Sequence, residues 1–205
     1  SLSTRRIAAE AGSSTMAVYT HFGGMSGLVR EVVHEGFLRL ADHFSRVKHT
    51  DDPVADMALL GRAYRHNALA NAHLYVVMFG ASSLAGFELS EEDRQHGRYT
   101  LVGVVETANR CIEAGRFRTG DAGLIAHQMW LATHGLVTLE LGEYLIEPWD
   151  ADTCWEQQLV SLMAGAGDSL ETATRSVARS RERFPAEVAA SSPELTPVKT
   201  PSRTG

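Results

Sequence analysis

The fold of this chain is decided by residues 3–28, STRRIAAEAGSSTMAVYTHFGGMSGL. The stretch predicts two short helices joined by a tight turn. Ser3 can cap the first helix, and Ile7 and Ala11 lie on its narrow apolar face. Gly12 follows directly, and glycine in that place usually ends a helix because it enters the left-handed region without a Cβ clash.

The second helix can begin after Ser14, whose hydroxyl is able to cap it. Val18 and Phe22 share one face, which can pack, and the other side chains of residues 15–21 can face a groove. In helix-turn-helix proteins the second helix lies in the major groove, with its N-terminal residues at base edges. The stretch therefore predicts a DNA-reading unit, and the competing interpretation is an ordinary hairpin of a helical bundle.

The spacing of these residues resembles that of the tetracycline-repressor (TetR) family of transcriptional regulators. The shared positions are Ile7-Ala8, Ala11-Gly12, Tyr19, His21-Phe22 and Leu28. The resemblance implies a homodimeric, ligand-responsive repressor that binds double-stranded DNA at a palindromic operator. It also implies that DNA is contacted by Ser3, Thr4, Ser14, Thr15, Met16, Ala17, Tyr19, Thr20, His21 and Met25.

Two residues depart from the family pattern. Ser13 stands where an apolar residue is usual, and Met25 stands where a lysine usually helps to hold a phosphate. The methionine removes one charge-assisted contact, although backbone N–H groups near Gly24 can still bind a phosphate. The resemblance also implies a helix before the pair, of which this sequence contains nothing. Without that helix the apolar face of the pair would lose a packing partner, and we expect weak DNA binding.

The net charge of −6 is unusual for a DNA-binding protein, but the charge is unevenly distributed. Residues 1–50 hold six basic and four acidic side chains, a net charge of +2, and the remainder is acidic. Phosphate binding depends on local charge, so an acidic body does not exclude a basic reading head. The basic patch is small, and we expect the salt dependence of DNA binding to be modest per protomer.

Other classes of protein have little support. No apolar run reaches the length of a membrane span and no signal peptide is visible, which predicts a cytoplasmic protein without a membrane partner. Cys111 and Cys154 lack metal-ligand spacing, and the nine histidines form no compact set, so neither a metal nor a cofactor is expected. No nucleophile elbow, P-loop or dinucleotide fingerprint indicates an enzyme.

Helical periodicity along the rest of the chain predicts an all-α fold, a helix-turn-helix DNA-binding head on a helical body. Asp52 and Pro53 can start one helix, and Ser90 with Asp93 resembles a capping box. The expected helices after the pair cover residues 26–47, 53–70, 74–79, 90–115, 121–145 and 152–170. We divide the chain into a helix-turn-helix domain with its linking helix (1–47), a ligand-binding and dimerisation domain (48–183) and a disordered tail (184–205).

The tail assignment rests on composition, since four of the six prolines lie beyond residue 184 among Ser, Thr and Ala. The charged run at residues 175–183 before it is interpreted as a solvated helix end. In the family the last two long helices of each subunit pack against their symmetry mates, which implies dimerisation through the helices around Trp130 and Trp155. The small residues that would permit close approach are Gly135, Gly142, Ala164 and Ala166.

An aromatic and methionine set in the body suits a mostly apolar pocket, although the same stripe is more often plain core. The ligand-binding candidates are Met57, Tyr64, Met78, Phe79, Phe87, Trp130 and His134. The W-x-x-x-HG pattern that ends at Gly135 also resembles a C-terminal domain of one branch of the family. For His134 the favoured interpretation is a hydrogen-bonded core histidine.

We hypothesise that an uncharged or weakly polar small molecule enters this pocket and shifts the linking helix. The alternative function is a helical partner-binding protein with a weakened DNA-reading head, which the methionine at position 25 favours. Sequence-specific retention of a palindromic duplex would distinguish the two.

Overall fold

The computed structural model describes residues 3–80 and 89–191, and within those ranges it contains ten α-helices and no strand. In chain order the helices are α1 (Thr4–Glu10), α2 (Thr15–Phe22), α3 (Met25–Ser45), α4 (Pro53–Ala70), α5 (Ala72–Gly80), α6 (Glu91–Tyr99), α7 (Val102–Glu113), α8 (Ala122–Leu141), α9 (Ala151–Ala166) and α10 (Leu170–Glu187). A 3-10 turn, Ala189–Ser191, follows. The predicted all-α fold is confirmed. None of the described helices combines the length and apolarity needed to cross a membrane.

Side-chain caps begin several helices at the residues expected from the sequence. The Ser14 hydroxyl accepts a hydrogen bond from the Ala17 N–H at 3.1 Å, which satisfies one of the free donors of the first turn of α2. The other predicted caps are also present: Ser3, Asp52 and the capping box of Ser90 with Asp93. Asp121 caps α8, at the residue where that helix was expected to begin. Short polar side chains thus fix the starts of the helices that carry the candidate site.

Helix α4 lies at the centre of the body, buried along most of its length, and packs against α3, α7, α8 and α10. Trp155 of α9 is only 1% exposed and lies over Gly61 of α4, where an added Cβ would come within 3.0 Å of the indole. The backbone of α4 is therefore approached directly by the largest core side chain. A second, smaller apolar cluster lies between α3 and α5.

Three expected helix boundaries are wrong. Helix α8, expected to reach residue 145, ends at Leu141. The single helix expected over residues 90–115 is divided into α6 and α7 at Thr100, whose hydroxyl donates to the Gly97 carbonyl at 2.6 Å. The helix expected to reach residue 170 ends at Ala166, because Gly167 adopts a φ of 126°, a conformation that side chains rarely tolerate. Leu170 then starts α10 and is exposed.

The C-terminal expectation also needs correction. Helix α10 continues through Pro185 to Glu187, and Val188 beyond it is fully buried, so residues 184–191 are structured. The charged run at residues 175–183 is not uniformly solvated, since Arg183 pairs with Asp56 at 2.6 Å and with Glu187 at 2.8 Å. Long-range ion pairs and burial against α4 hold the segment in place. Residues 192–205, where we predicted disorder, lie outside the described residues.

Candidate nucleic-acid interface and body cavity

The first two helices form the predicted pair. Gly12, in the turn between them, has a φ of 62°, the left-handed conformation expected from its position after α1. Gly27, in the first turn of α3, is needed for a close approach, because a Cβ there would lie 1.7 Å from the Phe22 carbonyl oxygen. The two glycines therefore set the angles between α1, α2 and α3. Helices α1 and α2 form the reading head, which α3 carries.

One face of α2 is buried and the opposite face is exposed. Val18 is 6% exposed, whereas Met16 is 71% and Tyr19 58% exposed. Phe22, expected to pack with Val18, is only partly covered at 36%. The other candidate contacts that the structure leaves exposed are Ser3, Ser14, Thr15, Thr20 and His21, whereas Thr4, Ala17 and Met25 are half-buried. Most of the candidate residues are thus accessible to a partner.

Three of the candidates also have structural roles. The Ser3 and Ser14 hydroxyls accept backbone hydrogen bonds from their own helices. Met25 packs against the apolar cluster between α3 and α5, so its side chain serves packing where the family pattern has a phosphate-binding lysine. Arg6 forms an exposed pair with Glu10 at 2.9 Å, and such a pair contributes little stability, so Arg6 can exchange it for a phosphate.

Helix α3 is anchored to the body through Asp93 of α6, which is only 1% exposed. The Asp93 carboxylate accepts from the Ser90 N–H at 2.8 Å, pairs with the Arg30 guanidinium at 3.2 Å and contacts His34 Nε2 at 3.0 Å. Burial alone would raise the pKa of Asp93, but the hydrogen bonds from Ser90, His34 and Arg30 outweigh it and lower the pKa to about 2. An ionised carboxylate thus links α6 to the helix that carries the reading head.

A cavity of about 350 Å³ opens beside this link. Its apolar wall is made by Phe37, Leu40, Tyr64, Met78, Phe79, Leu89, Leu101 and Trp130, and its polar side by Asp93, Arg94, Arg98 and His127. A smaller void of about 30 Å³ lies deeper, against Met57, and shares Tyr64 and Trp130 with the larger cavity. The two spaces bring together Met57, Tyr64, Met78, Phe79 and Trp130 of the predicted set.

The remaining two ligand-binding candidates are Phe87 and His134. Phe87 lies outside the described residues. His134 lies behind the wall, where its Nδ1 forms a hydrogen bond with the Tyr75 hydroxyl at 2.6 Å and lies 3.2 Å from the Tyr64 hydroxyl. Burial lowers the pKa of His134, so the ring is neutral near pH 7. His134 therefore holds in place Tyr64, which lines the cavity, and the buried Tyr75, as the core interpretation requires.

The sequence pattern does not reveal the polar side of the cavity. Arg94 and Arg98 lie on α6, most of whose residues are charged or polar. Nothing in the local pattern distinguishes these two positions from ordinary surface positions. A spacing of four residues on one helix was the available signal, since such residues share a face. No group of three or more His, Cys, Asp or Glu among the described residues is arranged to hold a metal ion.

The outward face of α8 is apolar and has open space. Leu124 is 58% and Leu131 66% exposed, and an added Cβ at Gly135 would meet no atom within 4 Å. These positions are spaced by seven and four residues and form one stripe. Gly142, also expected at a helix contact, instead lies against Tyr144, because its Cβ would approach that ring to 2.8 Å.

These features define a class of protein, a helix-turn-helix DNA-binding head on a helical body with a cavity. Comparison with models of known protein families supports this class. Residues 1–32 match the model of the bacterial regulatory proteins of the tetR family, and residues 57–162 match that of the tetracyclin repressor-like C-terminal domain. The second match alone covers more than half of the chain. The protein belongs to the TetR family, as the spacing of the first helices indicated, and is a transcriptional regulator.

Several solved structures are similar to the chain, two of which are compared with it below. A protein of unknown function from Rhodococcus sp. RHA1 is 28% identical with a TM-score of 0.69, over 82% of this chain and 86% of that one. A putative regulatory protein is 22% identical with a TM-score of 0.65, over 80% of this chain and 85% of that one. At 22% identity, the second structure shows only that the two chains share a fold. No curated protein sequence is significantly similar to the chain.

Proposed function

We propose that this regulator is a repressor that binds a palindromic operator as a homodimer and is released by a small molecule. The observation that carries the proposal is the exposed surface of α2, on which Met16 and Tyr19 lie, whereas Val18 is buried. Residues at the start of such a helix reach base edges when it lies in the major groove. Thr15, Met16 and Ala17 would approach bases, and the residues 19–21 bases or phosphates.

Selection of duplexes from a random pool by the full-length protein tests this proposal. Two reading heads related by a two-fold axis should enrich a palindrome with half-sites about one DNA turn or a little more apart. A folded protein that enriches no sequence would contradict the proposal and favour the partner-binding alternative.

The outward stripe of α8 supports the homodimer. Large exposed leucines beside a glycine with open space allow another helix to approach closely, and the stripe would be covered by its own copy across a two-fold axis. Gly165 of α9 also has no atom within 4 Å of its Cβ position. We therefore propose α8 and α9 as the dimer interface, within a body domain that starts after the linking helix.

We expect Gly135→Arg to convert the dimer to a monomer, because a long charged side chain would be placed in the middle of the proposed interface. Gly103→Arg is the matched control: Gly103 is also exposed inside a helix with no atom within 4 Å, but it lies on α7. Light scattering coupled to gel filtration measures the mass of both variants. A dimeric Gly135→Arg would contradict this interface.

The cavity and the Asp93 link give the proposed ligand response a physical route. Helix α6 contributes Asp93 to both, so a ligand that moves α6 would also move α3 and change the separation of the two reading heads. A ligand can shift this equilibrium only through a difference in affinity between the two arrangements, typically about 1–3 kcal/mol. The response therefore requires a ligand that prefers the arrangement unable to bind DNA.

A further inference from the structure

Two arginines lie at the polar side of the cavity, one helical turn apart on α6. The side chains of Arg94 and Arg98 are 53% and 58% exposed, and both line the cavity. They share a single carboxylate, since Glu91 pairs with Arg98 and lies 3.9 Å from Arg94. One glutamate between two guanidinium groups leaves an excess positive charge at this side of the cavity.

The nearest buried acid does not cancel that charge. Asp93 also lines the cavity, but its carboxylate is already occupied by Arg30, His34 and the capping box. Its negative charge is balanced within the link between α6 and α3. The local field at the two arginines therefore favours an anion.

Much of the remaining cavity lining is apolar and aromatic. Phe37, Met78 and Phe79 face the same space as the indole of Trp130. A cavity of about 350 Å³ has room for roughly a dozen non-hydrogen atoms if each takes about the volume of a water molecule in the liquid, ~30 Å³. The cavity thus combines an apolar body site with a cationic edge.

We propose that the effector of this regulator is an amphipathic monoanion, with its apolar body against the aromatic wall and its carboxylate held by Arg94 and Arg98. Guanidinium groups bind carboxylates through paired, charge-assisted hydrogen bonds. The inference rests on the proposed ligand response and replaces the uncharged ligand expected from the sequence. It names the chemistry of the ligand, and the DNA-reading role of α2 does not depend on it.

Binding of three matched probes tests the proposal: decanoate, 1-decanol and decylammonium, each below its micelle concentration. Trp130 lies in the cavity wall, so tryptophan fluorescence reports occupancy, and Trp130→Phe identifies the signal. We expect decanoate to bind about tenfold more tightly than 1-decanol, equal to about 1.4 kcal/mol, and decylammonium to bind most weakly. Equal or tighter binding of 1-decanol, or no binding of any probe, would overturn the proposal.

The double variant Arg94→Gln/Arg98→Gln assigns the preference to the two arginines. It should lose about tenfold in decanoate affinity and keep the affinity for 1-decanol. Arg175→Gln is the matched control, because Arg175 is also exposed and paired with a glutamate of its own helix, on α10. An unchanged decanoate affinity in the double variant would overturn the proposal. These titrations contain no DNA, so a failure here is distinguishable from a failure of the duplex selection.

Discussion

The Asp56→Asn variant is expected to lose about 3–5 kcal/mol of unfolding free energy. Asp56 is 1% exposed in the first turn of α4, and its carboxylate contacts Arg110 at 2.8 Å and Arg183 at 2.6 Å. It also accepts hydrogen bonds from the N–H and hydroxyl of Thr50 at 2.8 and 2.7 Å. One carboxylate therefore joins α4 to α7, to α10 and to the segment after α3.

The expected loss is large because an amide at position 56 would remove the carboxylate that pairs with Arg110 and would leave Arg183 with Glu187 alone. Burial would by itself raise the pKa of Asp56, but the hydrogen bonds from Thr50, Arg183 and Arg110 outweigh it and lower the pKa. A lowered pKa means that this stabilisation is present above the unfolded-state pKa of about 3.9 and is lost as the pH falls through the folded-state pKa. The difference in unfolding free energy between the wild-type protein and Asp56→Asn should therefore shrink in acid.

Urea denaturation at one fixed protein concentration measures the effect, since dimerisation would otherwise shift the apparent stability. Glu171→Gln is the matched control: it removes a carboxylate from an exposed pair with Arg175 and should change the free energy of unfolding by less than about 1 kcal/mol. If Asp56→Asn were as stable as this control, the carboxylate would not hold the body together as the structure indicates.

The second large effect concerns DNA. Tyr19→Ala should weaken binding to the selected duplex at least about tenfold, since a hydrogen bond to a charged phosphate contributes about 1.5–3 kcal/mol. Tyr19 is 58% exposed on α2, and its ring also lies beside Gly24, where an added Cβ would be 3.4 Å away. Loss of the ring should leave the fold and the proposed dimer intact, because Tyr19 lies outside the core.

Fluorescence anisotropy with labelled duplex measures this affinity, and circular dichroism and gel filtration report fold and mass. Tyr99→Ala is the matched control, because Tyr99 is 71% exposed but lies at the end of α6, away from the reading head. Normal affinity in Tyr19→Ala together with normal affinity in the control would remove Tyr19 from the proposed interface.

Local signals in the sequence were sufficient to predict the helices of the reading head. Capping side chains such as Ser14, a glycine such as Gly12 and the face shared by Val18 act over a few residues, so they can be recognised without the tertiary structure. The same holds for the start of α4 at Asp52 and the capping box at Ser90.

Long-range interactions account for what the sequence did not reveal. Arg183 appeared to belong to a solvated run, but its partner Asp56 is far away in the chain, and Val188 is buried against other helices. The cationic edge of the cavity arises in the same way, because only the fold brings Arg94 and Arg98 to the same cavity as the aromatic side chains. Periodicity also continued across residues 164–170, where a backbone conformation at Gly167 ends the helix.

The central claim, that α2 reads bases, is tested most directly by parallel duplex selections with the wild-type protein and Met16→Arg. Met16 is 71% exposed near the start of α2, and an arginine there can form paired hydrogen bonds to guanine in the major groove. A base-contacting position changes the preferred sequence, whereas a phosphate contact changes affinity for all sequences alike. We expect Met16→Arg to enrich a palindrome altered at one symmetry-related position of each half-site. Enrichment of the same palindrome by both proteins would contradict the account.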